Sequence, residues 1–177
     1  MSEKQLWFKI SRKSIKCLYI YYGTLIIIGL ISVIFLLINL NRENKYVELS
    51  IFSTALLTAI AMSLLACSMS YIRKLYKSCI NLDISLPENN TDSIRQIGVL
   101  AYFFLRPVFA LALGTLLIIT FKAGISSMAK CDELSEKFVY LSVFFAFFVG
   151  YSIGDIIDIF EEKGKKIITK IFNNPEL

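Results

Sequence analysis

The sequence predicts an all-α integral membrane protein with four transmembrane helices and both termini in the cytoplasm. Three observations carry that reading. Of the 177 residues, 56% are hydrophobic, with only 3 Pro and 8 Gly, a composition far from that of a soluble domain. Four long apolar runs, Cys17 to Leu40, Leu49 to Ile72, Ile97 to Phe121 and Phe138 to Phe160, each reach the roughly 20 residues that cross a bilayer as helix. Outside these runs, thirteen Lys and Arg fall in residues 1–16, 73–96 and 161–177, against five in the other two loops. By the positive-inside rule this imbalance sets the orientation, and it accounts for the formal net charge of +5.

The domain plan follows. Residues 1–16 form a basic tail, 17–160 the membrane domain with a loop at 73–96, and 161–177 a second basic tail. In the first tail, Leu6, Trp7, Ile10 and Ser14 recur at helical spacing among Lys4, Arg12 and Lys13. A short helix on the headgroups or a plain basic tail both fit. The first span is not a cleaved signal, since its apolar run exceeds the about 7 to 15 residues of a signal core. Its Tyr19, Tyr21 and Tyr22 suit an aromatic belt, and its Ile-rich remainder suits lipid.

The second span differs in kind. Ala55, Ala59, Ser63, Ala66 and Ser70, flanked by Thr54, Thr58 and Cys67, make a stripe of small and hydroxylated residues. Such a stripe marks close helix contact or lines an aqueous path. Arg73, Lys74, Lys77 and Arg95 then give the following loop a basic surface for a cytosolic partner, together with Lys165 and Lys166 in the last tail. Asp92 is placed to cap or charge the first turn of the third span.

The third span holds the costliest residue, Arg106, followed by Pro107. It lies about 13 Å in from the start of the run, at 1.5 Å per residue. Gly98, Tyr102, Arg106, Ala110 and Gly114 share one stripe, and Pro107 frees a backbone carbonyl in the turn before it. In the fourth span Ala146, Gly150, Gly154 and Asp158 are again four apart. Packing the third span on the fourth through these glycines predicts a pair between Arg106 and Asp155, with Asp158 as a second acceptor nearer the surface. Arg106 then fixes the bundle, lines a sensing or conducting interior, or only snorkels.

Several classes of chemistry lack their residues. The chain has no His and no Cys-x-x-Cys, which removes most zinc sites and every His-activated nucleophile. Cys17, Cys67 and Cys79 fall on the membrane or cytoplasmic side, leaving Cys131 without an external pair. Gly164-Lys165-Lys166 lacks the first glycine and the strand of a phosphate loop. The expectation is no enzyme, no metal, no cofactor and no direct nucleic-acid binding.

The run Leu105-Arg106-Pro107-Val-Phe-Ala-Leu-Ala-Leu-Gly114, followed by Phe144-Phe-Ala-Phe-Phe-Val-Gly150-Tyr-Ser-Ile-Gly154-Asp155, resembles small four-span membrane proteins of bacterial phage-defence loci, the Kiwa type above all. The resemblance implies a homo-oligomeric inner-membrane sensor or scaffold, with a tetramer as the expected assembly, acting through a cytosolic effector. A pore-forming or depolarising effector and a small transporter are the other two readings the residues allow.

Overall fold

The computed structural model describes residues 8–41, 50–81, 84–85, 90–128 and 136–173. Its helices are α1 (Arg12–Asn41), α2 (Ile51–Ile80), α3 (Asn90–Met128), α4 (Glu136–Tyr151) and α5 (Ile153–Asn173). Helix is what the apolar runs require, because hydrocarbon offers no partner for backbone N–H and C=O groups. Three of these helices are long and apolar enough to cross a membrane, or four if α4 and its bent continuation count as one span. Besides helix, the described residues form one two-residue parallel pairing, β1 (Phe8–Lys9) beside β2 (Ile84–Ser85).

The start of α1 departs from a helical tail. Ser11 caps it, its Oγ accepting from the Ser14 amide at 3.2 Å, while Gln96 of α3 donates to Ser11 Oγ and Ser14 Oγ at 3.2 and 2.9 Å. A capped start with Phe8 and Lys9 extended before it ends the helix where a surface helix would have run on. Residues 1–7 lie outside the described residues. Ser50 caps α2 in the same way, its Oγ accepting from the Ser53 amide, and α2 continues to Ile80, beyond the apolar run itself.

α2 is the central helix, packed by α1, α3 and α4. Its small stripe makes this possible: Ala55, Ala59, Ser63 and Ala66 are fully buried and Ser70 nearly so. Without a hydrophobic drive between helices in lipid, close backbone approach supplies the attraction. Glycines from three partners meet α2, with Gly114 of α3 on Ser63 Oγ and Gly150 of α4 on the Ser63 backbone at this stripe, and Gly29 of α1 on Ala61 and Leu65 at another face. Ala110 of α3 and Ala146 of α4 are also fully buried. Gly150 and Gly154 therefore pack against α2, whereas the spacing of small residues had paired them with the third span. α1 turns Ile20, Ile27, Ile31 and Ile34 outward.

The fourth span is not continuous. α4 ends after 16 residues, about 24 Å, and α5 leaves it with a bend of 71° across Ser152. Beyond the bend lie Asp155, Asp158 and Glu162, which hydrocarbon would disfavour, and all three are exposed. α5 instead sorts its residues into a polar and an apolar side, the pattern of a helix lying along an interface. The fold thus has a basic end, where α1 begins, α2 finishes and α5 starts.

Candidate functional site

At the basic end α1, α2, α3 and α5 converge on Tyr22, Tyr71, Phe103 and Ile153, all buried, with Leu18, Cys67 and Leu75 around them. Pro107 explains part of this arrangement. Having no N–H, it cannot itself donate to the Phe103 carbonyl one turn back, as residue i+4 does in a regular helix. The Tyr22 hydroxyl of α1 donates to that carbonyl at 2.6 Å, and Tyr21 donates to the next one, Phe104, at 3.4 Å. Tyr22 and Tyr71 stack with ring centroids 6.1 Å apart and planes 14° from parallel. Tyr22 is thus a buried ligand of the α3 backbone, not a member of an interfacial belt.

Arg106 stands on the same face of α3 and is 6% exposed. Its guanidinium is received first by aromatic rings, Tyr102 at 4.2 Å and Tyr71 at 5.9 Å from the ring centroids. Such contacts are worth about 0.5 to 2 kcal/mol, more as water is removed. The carboxylate it approaches is Asp158, Oδ1 lying 4.0 Å from Nη2. Asp155, the acceptor expected from depth, is exposed in the first turn of α5. The bend decides this exchange, because it carries both aspartates out of the span and swings the second turn of α5 toward α3. At 4.0 Å, with Asp158 73% exposed, the pair is loose and screened.

Two buried polar side-chain atoms have no hydrogen-bond partner among the described residues, and both are here: Arg106 Nη1 and the Tyr71 hydroxyl. Lys74 joins them, its Nζ 5.1 Å from the Tyr71 ring centroid. Gly154 completes the arrangement. A side-chain carbon at Gly154 would come within 3.0 Å of Lys74 Nζ and 3.1 Å of the Tyr71 hydroxyl, so the glycine allows both groups to pack against the start of α5. One turn away Arg73 Nη1 donates to the Tyr151 hydroxyl at 2.6 Å, fastening the end of α4 to α2.

The candidate residues are thereby distributed. Arg106 and Asp158 come together, Lys74 and Gly154 meet at Tyr71, whose ring Arg106 also approaches, and Asp155 is exposed. Arg73, Lys77 and Arg95 are exposed around the same end. Lys166 is exposed and bound to Glu162 at 2.6 Å, and the Lys165 side chain lies outside the described residues. The residues not singled out as partners were Tyr71 and Tyr102. Tyr102 had a legible signal, four residues before Arg106 on one helical stripe, the spacing at which side chains meet. Tyr71 had none, since its contact crosses between helices.

Hydroxyls of α2 are turned back onto helix carbonyls: in the stripe Thr58 to Thr54 at 2.6 Å and Ser63 to Ile60 at 3.0 Å, and outside it Ser68 to Leu64 at 2.8 Å. They satisfy local backbone groups inside the bundle. Cys67 is buried beside this cluster, and Cys131 lies outside the described residues. No family model, curated protein or solved structure matches this chain, so its likeness to other proteins adds nothing to what the helices and the arginine site themselves establish.

Proposed function

We propose that the chain is an oligomeric inner-membrane sensor or scaffold subunit that works through a cytosolic effector, in the manner of the phage-defence membrane proteins it resembles. Both termini and the basic end face the cytoplasm in this reading. The observation that carries it is the basic end itself. Exposed Arg73, Lys74 and Lys77 stand at the close of α2, where an amphipathic α5 turns away from α4, which supports a docking surface rather than a transport route. The burial of Ser63, Ser68 and Thr58 within one chain counts against a hydroxyl-lined path through the bundle. Nothing in the site supplies a nucleophile with its base, so a binding role fits better than an enzymatic one.

Purification of the tagged protein from its native cells in mild detergent, followed by mass measurement, tests the reading. A multiple of the 20.2 kDa chain with a stoichiometric soluble protein bound is the expected result. Charge reversal at Lys77 and Arg95 should release that protein and leave the subunit count unchanged. A strictly monomeric particle without a partner would overturn the proposal.

A further inference from the structure

The cluster of Arg106, Tyr71 and Lys74 has more donor capacity than acceptors. A guanidinium carries five N–H donors and an ammonium three, and neither can accept. Burying such groups without acceptors is strongly unfavourable. Arg106 nevertheless has Nη1 shielded from solvent with no acceptor among the described residues, beside an equally shielded Tyr71 hydroxyl. Its closest carboxylate, on exposed Asp158, is held at 4.0 Å on the other nitrogen.

We propose that this cluster binds the phosphate group of an anionic ligand, with Arg106 and Lys74 supplying charge and the Tyr71 hydroxyl a third donor. The chemistry suits a tetrahedral anion. Arg presents its donors as a planar fork, Lys as a mobile point charge, and together they cover several phosphate oxygens. Gly154 lets the start of α5 close on these donors: a Cβ there would lie 3.0 Å from Lys74 Nζ and 3.1 Å from the Tyr71 hydroxyl. It also sits in the first turn of α5, where the helix dipole is positive and favours an anion. Asp158, one turn further along, is a weak internal counter-charge that a phosphate displaces, since it is mostly in water already.

Two sources present this group at such a place, an anionic phospholipid headgroup or a soluble phosphate compound. The site needs no cytosolic partner, so its failure and that of the docking reading are told apart in one preparation. The full chain is purified in uncharged detergent, and its thermal unfolding is followed on adding phosphatidylglycerol, phosphatidylcholine or inorganic phosphate. Lipid retained through purification is quantified by mass spectrometry. Stabilisation by phosphatidylglycerol over phosphatidylcholine assigns a headgroup, and stabilisation by inorganic phosphate alone assigns a soluble ligand. In either case Tyr71→Phe and Lys74→Gln should each weaken the response roughly tenfold, the loss of one hydrogen bond to a charged group. These two variants are used because Arg106→Gln also removes the contacts to Tyr102 and Tyr71. An equal response to all three additives, or variants that respond like the wild type, would overturn the assignment.

Discussion

Tyr22 and Pro107 form a pair whose coupling can be measured. The proline withholds one backbone donor, and the tyrosine of another helix replaces it at 2.6 Å. Tyr22→Phe should therefore destabilise the protein by about 0.5 to 1.5 kcal/mol, the usual net contribution of one hydrogen bond. In a Pro107→Ala background the helix supplies its own N–H, and the same change should have much less effect. A double-mutant cycle on unfolding in detergent gives the interaction energy directly. Additive losses would mean that the Tyr22 hydroxyl does not substitute for the missing donor. At this scale the sequence disclosed the expensive arginine and the freed carbonyl. It did not disclose Tyr22 or Tyr71 as their partners, because contacts between helices depend on rotation and register that no local spacing encodes.

Helix contacts set a graded series among the glycines. At Gly150 a new methyl would meet the backbone of Ser63, which cannot move without shifting α2 or α4. At Gly114 it would meet Ser63 Oγ, a side chain that can rotate, while at Gly98 nothing lies within 4 Å. Gly150→Ala should thus be the most damaging, about 1 to 3 kcal/mol or more, with Gly114→Ala intermediate. Gly98→Ala should be neutral or stabilise by up to about 1 kcal/mol, as alanine favours helix over glycine. Thermal unfolding of the three variants in detergent checks the order. A loss at Gly98 equal to that at Gly150 would point to lipid-side effects instead of packing on α2. The stripe of Ala55, Ala59 and Ser63 was legible from small residues at helical spacing. Which helices it meets was not, since every helix here carries small residues able to approach.

Across the whole molecule, the bend between α4 and α5 governs topology. α4 alone is 16 residues, about 24 Å, short of the roughly 30 Å hydrocarbon core. If α4 crosses with the first apolar turns of α5 completing it at the interface, both termini emerge on one side. Reporter fusions should then show both termini in the cytoplasm, with a phosphatase inactive and a fluorescent protein bright at either end. A phosphatase active at the C-terminus alone would make α4 and α5 a re-entrant pair, leaving three crossings.

Composition and apolar run length alone determined that this chain is helical and suited to a membrane, because hydrocarbon admits few backbone solutions and its thickness fixes their length. The same reasoning located Arg106, whose charge is conspicuous in any apolar run. The tertiary structure decided what receives that charge. By bending at Ser152 the chain moves Asp155 and Asp158 out of the span, puts Gly154 over Tyr71 and Lys74, and leaves Arg106 against aromatic faces with one nitrogen unpaired among the described residues. Helix spacing assumes a straight axis, and this site is built where the axis turns.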